Sequence, residues 1–169
     1  MNIRKIKPKL LTSENFKIYG EVIAPIGDFR IANQGNSKKW NNLVELDMFQ
    51  NGGKVNLGIL RTKNIEFSFN QMERHFFTSQ IFIPLGGKRS LVAVAPSNKK
   101  RPDPNKVEVF SMKGNQGISF YCKTWHHTLF PLEGETEYVL IMRGGSFPPD
   151  VELVPFDNNI EFVIEISPK

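Results

Sequence analysis

The stretch Glu73-Arg-His75-Phe-Phe-Thr-Ser-Gln80-Ile-Phe-Ile-Pro84-Leu-Gly86-Gly87, followed by Leu91-Val-Ala-Val-Ala95-Pro96, decides the fold. Its apolar runs are of strand length, end at Pro84 and Pro96, and are divided by a Gly-Gly turn signal. In a strand, positions 73 and 75 point to the same face. A turn or bulge then returns Gln80 to that face from the next strand. Outward from this stretch the pattern repeats. Val55 to Thr62 alternates, with Val55, Leu57, Ile59 and Arg61 on one face. Ile65 to Phe69, Val107 to Phe110, Ile118 to Tyr121, Tyr138 to Met142 and Ile160 to Ile166 also read as strands. Turn signals at Asn51-Gly-Gly53, Lys113-Gly-Asn115 and Gly144-Gly145 separate them. Many short strands without intervening helices predict a mainly β protein, a sandwich or an antiparallel β-barrel, whose closure would remove exposed strand edges.

The one convincing helix lies between Leu11 and Gly20. Thr12 can cap it, Glu14 suits the positive end of its dipole, Leu11 and Phe16 fit a hydrophobic staple, and Gly20 can end it. This predicts a Thr12–Tyr19 helix packed on the outside of the barrel. With neither an internal repeat nor a long linker, residues 1–169 are expected to form a single domain.

The 169 residues are 40% hydrophobic and 23% charged, a balance that suits a folded core and excludes a disordered chain. Fourteen Phe against two Trp and three Tyr predict a phenylalanine-rich interior. Cys122 is the single cysteine, so no intramolecular disulfide forms. Met1 to Leu11 lacks the apolar core of a signal peptide, and the longest apolar run, Tyr138 to Met142, is far too short to span a bilayer. The expectation is a cytoplasmic protein without membrane contact. The net charge of +5 raises nucleic acid as a partner, but the densest basic run, Lys99-Lys100-Arg101, lies in a polar, Pro-containing stretch that reads as a solvated loop. No nucleic-acid partner is expected. A mildly positive surface would also attract a small anionic substrate.

The chain has three histidines, His75, His126 and His127. Glu73, His75, Gln80 and Gly87 have the spacing of the first cupin motif, with Glu73 and Gln80 standing where that motif has its first His and its Glu. Such a group can hold a metal or a small polar ligand inside a barrel; the alternative is a salt-bridged edge strand with Glu73 and His75 solvated. In Trp125-His126-His127 the adjacent histidines point to opposite faces of a strand, so at most one enters the interior. His126 is the preferred one, and the other packs or lies at the surface.

These pieces resemble the ureidoglycolate lyase family. The matching elements are Glu73-Arg-His75, Ser79-Gln80-x-Phe82-Ile83-Pro84, Gly117-Ile118, Trp125-His126-His127-x-Leu129 and Arg143-Gly144-Gly145, with Asn33-x-Gly35 and Arg61 upstream. The chain departs from the family pattern at Phe76, where a Pro is usual, and at Met142, where an acidic residue often precedes Arg-Gly-Gly. The resemblance implies a cupin fold (a double-stranded β-helix), a homodimer, and cleavage of (S)-ureidoglycolate to glyoxylate and urea in allantoin and purine nitrogen breakdown. It also implies a divalent metal, nickel in particular, for which His75, Gln80 and His126 are the candidate ligands.

Ureidoglycolate is a hemiaminal beside a carboxylate. Its cleavage needs a base for the hydroxyl proton, an acid for the departing urea nitrogen and a partner for the carboxylate. His126 is cast as general base or metal ligand. Glu73 is the second proton carrier or a ligand, with His75, Gln80 and His127 as the remaining candidates around the reacting atoms. Arg61 and Arg143 are candidates for the substrate carboxylate, since a guanidinium binds it bidentately; the alternative for Arg61 is a surface strand arginine. Arg74 should face away from Glu73 and His75 and be structural. Competing readings are a metal-dependent cupin isomerase or dioxygenase, and a non-catalytic cupin that binds a small acid.

Overall fold

The structure is a computed structural model that describes residues 2–49, 52–97, 99–144 and 150–166. Along the chain run β1 (Asn2–Ile6), β2 (Lys9–Leu10), α1 (Ser13–Phe16), β3 (Gly20–Ile23), β4 (Arg30–Ala32), β5 (Ser37–Lys39), β6 (Lys54–Thr62), β7 (Ser68–Phe69) and β8 (Gln71–His75). They are followed by β9 (Gln80–Pro84), β10 (Ser90–Ala95), β11 (Glu108–Met112), β12 (Gly117–Phe120), β13 (Trp125–His126), β14 (Phe130–Pro131), β15 (Thr136–Gly144), β16 (Val151–Pro155) and β17 (Ile160–Ile164). The mainly β reading holds.

A five-stranded sheet, β3-β12-β9-β15-β6, is antiparallel throughout. It faces a seven-stranded sheet ordered β16-β8-β13-β10-β11-β2, with β14 also on β10. Val92, Val94, Phe110 and Met112 from the larger sheet pack against Val22, Phe82, Ile118, Phe120 and Tyr138 from the smaller. A three-stranded sheet, β1-β17-β7, covers the other face of the seven-stranded sheet, where Leu91, Ala93, Trp125 and Phe130 meet Phe69, Ile160, Phe162 and Ile164. Strand β10 is therefore apolar on both sides and wholly buried, which explains a continuous apolar run in place of alternation.

Three expectations need correction. Hydrogen bonding does not pass from one large sheet round to the other among the described residues, so the cupin-like fold is two facing sheets and not a closed barrel. Two pairings, β1 with β17 and β2 with β11, are parallel. Closure does not remove every edge either: β6 ends the five-stranded sheet, and the face predicted from its alternation is the outer one, with Val55, Leu57 and Ile59 48%, 66% and 55% exposed.

The helix is a single turn, not eight residues on the outside. Thr12 caps it as read, and Asn15 returns the bond to the Thr12 backbone N–H to complete a capping box. Phe16 is fully buried and Tyr19 nearly so, because both plug the end of the core beside Phe110. Gly20 opens β3 and does not cap the helix. A Cβ there would stand 1.9 Å from the Ser119 carbonyl oxygen, so the pairing of β3 with β12 requires glycine. The Ile65–Phe69 segment is strand only at β7. Asn51 of one turn signal and Gly145 of another lie outside the described residues.

Candidate functional site

Strand β8 alternates cleanly. Met72 and Arg74 turn to the layer covered by β17, while Glu73 and His75 turn to the space between the two large sheets. Arg74 is buried against the Trp125 and Phe76 rings, bonds Glu152 and the Lys99 carbonyl, and is a structural cation as its parity predicted. On the neighbouring β13, His126 lies opposite Glu73 and opposite Val94, and so shares their inward face. His127 points the other way. Its ring stacks on Phe130 at 4.8 Å and lies 5.3 Å from Phe69. His127 is therefore not part of the cluster formed by the other two histidines; an aromatic layer holds it, as strand parity requires.

The facing sheet supplies the other wall. Gln80 at the start of β9 shares the inward face with Phe82, and Met142 of β15 lies beside it, its Sδ 4.0 Å from the Gln80 amide nitrogen. Phe120 stacks on His126 at 4.4 Å and separates the polar group from the apolar core. The cluster is thus Glu73, His75, Gln80 and His126, with Met142 and Phe120 as apolar walls.

Its hydrogen bonds fix the protons. Nδ1 of His126 is 2.9 Å from the Thr124 carbonyl, which can only accept, so the neutral ring carries its proton there. Its Nε2 is then a bare acceptor, buried without a hydrogen-bond partner, 3.5 Å from Oε1 of Glu73. His75 receives the Gln80 amide N–H at Nε2, 3.0 Å away, which places its proton on Nδ1. Nδ1 has no hydrogen bond and faces the Asp150 carboxylate at 3.7 Å. Oε1 of Gln80 is also buried and unpartnered. The hydrogen bond that His126 donates when Nε2 carries a proton holds the Glu73 carboxyl below the ordinary carboxylate value, against the opposing effect of burial. Burial, then the neighbouring His126, pushes His75 down, and burial does the same to His127. At neutral pH Glu73 is therefore a carboxylate, and His75 and His127 are neutral imidazoles.

Ligand atoms of Glu73, His75 and His126 lie within 4.8 Å of one another, close enough to share one metal ion. A carboxylate and two imidazoles suit a borderline divalent metal. Glu73, which the sequence offered as proton carrier or ligand, joins the set, whereas Gln80 approaches through its hydrogen bond to His75.

Two sequence candidates have other surroundings. Arg61 sits on the outer face of β6, largely exposed and paired with Glu137 and Glu135, because its position has the parity of Leu57 and Ile59. Arg143 is inside the strand pairing of β15 with β6. Its backbone N–H donates to the Thr78 hydroxyl, and its side chain passes so close to Gly53 that a Cβ there would meet Nε at 2.3 Å. Asp150 was missed, because it precedes β16 in a segment that the sequence reading assigned neither strand nor motif.

A family model described as ureidoglycolate lyase matches residues 3–163. The chain belongs to the ureidoglycolate lyase family. A ureidoglycolate lyase of Brucella anthropi is 32% identical over 149 residues, covering 86% of this chain and 87% of its own. Ureidoglycolate lyases of Escherichia coli O1:K1 and Shigella boydii serotype 18 are each 31% identical over 153 residues, covering 89% of this chain and 95% of theirs. Both specific elements of the family resemblance contribute to the cluster, Glu73 and His75 from the first and His126 from the second, while Arg74, Trp125 and His127 face the layer behind.

Proposed function

We infer that this chain is a ureidoglycolate lyase, cleaving (S)-ureidoglycolate to glyoxylate and urea in the breakdown of purine nitrogen through allantoin. One observation carries the reading: the buried Nε2 of His126 and Oε1 of the partly exposed Glu73 face each other 3.5 Å apart. Such a pair is made to share a proton or a cation.

In the proton reading, Nε2 of His126 accepts the hydroxyl proton as the carbon–oxygen bond becomes the aldehyde carbonyl and the carbon–nitrogen bond breaks. The Glu73 carboxylate stabilises the imidazolium that forms. The same proton then passes to the leaving urea nitrogen, so the balance closes without a covalent intermediate. Gln80 offers its second amide N–H to a substrate oxygen, and Phe120 and Met142 limit water on the apolar sides. The donor set favours a second reading, in which Glu73, His75 and His126 hold a divalent metal such as nickel. Bound there, the ion would polarise substrate oxygens as a Lewis acid.

Incubation with racemic ureidoglycolate tests the activity. Glyoxylate and urea should appear in equal amounts and stop at half of the racemate; release no faster than the spontaneous rate refutes it. Metal analysis of the purified chain separates the readings, a stoichiometric divalent ion supporting the second. The protein is proposed to be a single domain that acts in the cytoplasm as a homodimer. The apolar row Val55, Leu57 and Ile59 on edge strand β6 supports that assembly, since a two-fold pairing would cover it.

A further inference from the structure

We propose that Asp150 is a positioning residue for His75: its carboxylate selects the tautomer that presents Nε2 of His75 to the cluster as an acceptor. The proposal rests on the site reading above and names the group that orients one of its members.

Asp150 lies where β8 and β16 part, next to the Val151–His75 pair. Its Oδ1 accepts the backbone N–H groups of Phe76 at 2.9 Å and Phe77 at 2.7 Å, and its backbone carbonyl also accepts from Phe76. The carboxylate is therefore fixed, and its remaining oxygen, Oδ2, is aimed at Nδ1 of His75, 3.7 Å away. Both side chains are largely buried, 12% and 18% exposed, so water screens this approach weakly. On the far side of the ring the Gln80 amide N–H points at Nε2. A donor on one side and an anion on the other specify the same single proton position, Nδ1. A carboxylate behind a histidine is also the usual means of fixing a ligating or proton-accepting imidazole.

A purely structural role predicts something different. Capping the Phe76–Phe77 turn needs only Oδ1, which asparagine also provides. Asp150→Asn keeps that oxygen and replaces Oδ2 by an NH₂ group, which cannot accept from Nδ1–H and instead favours the proton on Nε2. In the full-length chain, kcat for glyoxylate release should fall ~10–100-fold, with KM within about threefold and the melting temperature little changed. Asp150→Glu should recover part of the loss. Independently of activity, ¹⁵N-histidine NMR should show Nε2 of His75 without a proton in the unaltered protein and protonated in Asp150→Asn. A variant with unchanged kcat, or an unaltered protein whose His75 carries its proton on Nε2, overturns the proposal. That second measurement needs no variant. If the unaltered protein does not turn over ureidoglycolate, the activity reading fails, and the tautomer alone still decides the role of Asp150.

Discussion

His126 offers Nε2 because Nδ1 is committed to the Thr124 carbonyl. Alanine removes both the acceptor and the ring on which Phe120 stacks. Loss of a general acid–base group costs ~10²–10⁴-fold, so glyoxylate release by His126→Ala should fall within that range. His127→Phe should stay within a few-fold of the original rate, since phenylalanine suits the layer between Phe69 and Phe130; a loss as large as that of His126→Ala would show that the wrong histidine carries the chemistry. The same substitution bears on pH. His75 and His127 both have folded-state values pushed below their ordinary 6.5, chiefly by burial. The unfolded chain then binds protons more readily than the native one. Their stabilisation is complete above about pH 6.5 and is lost as pH falls from there through the depressed values. Melting temperature should therefore drop between pH 7.5 and 5.5, and His127→Phe should drop less. Equal slopes for the two proteins would place the titrating groups elsewhere.

Among the elements, the pairing of β3 with β12 is the one that tolerates least. Gly20 lies opposite Phe120, whose ring forms a wall of the site, and a Cβ would sit 1.9 Å from the Ser119 carbonyl oxygen. Backbone cannot yield as a flexible side chain would. Gly20→Ala should cost at least the ~1–3 kcal/mol typical of overpacking, measured by urea unfolding, and should lower activity through displacement of Phe120. A fully stable variant would mean that β3 moves freely against its neighbour. Strand β8 shows the opposite economy: alternate residues serve two layers, Arg74 bracing Trp125 on one side while Glu73 and His75 face the other.

Over the whole molecule, three layers bury the two large sheets against each other and β17 against the back of the larger one, but leave the outer side of β6 open. A nine-residue edge strand with Leu57 66% and Ile59 55% exposed is where the proposed homodimer would pair. Light scattering should find a particle of twice the 19.3 kDa chain at micromolar concentration. Leu57→Lys should shift it towards the single chain with the fold intact. A single-chain particle before substitution would refute the homodimer.

Strand and turn chemistry made the β class legible: Pro84, Pro96 and Gly86-Gly87 bound apolar runs of strand length. Period two also put Glu73 and His75 on one face and divided His126 from His127, since parity is a local property of extended backbone. Parity does not say which face is inside. Val55, Leu57 and Ile59 look like a core row, yet they lie outward because β6 is an edge and its partner β15 turns Tyr138 and Leu140 inward. Arg61 followed them out to Glu137. The helix shortened to one turn because Phe16 and Tyr19 are both drawn into the core, a demand that local propensity does not register. Asp150 meets His75 across strands distant in sequence, so only the pairing of β16 with β8 could bring that carboxylate to the imidazole. The sequence determined the alternation and the chemical groups; tertiary packing decided which sides meet, because burial is a property of the assembled sheets and not of any one strand.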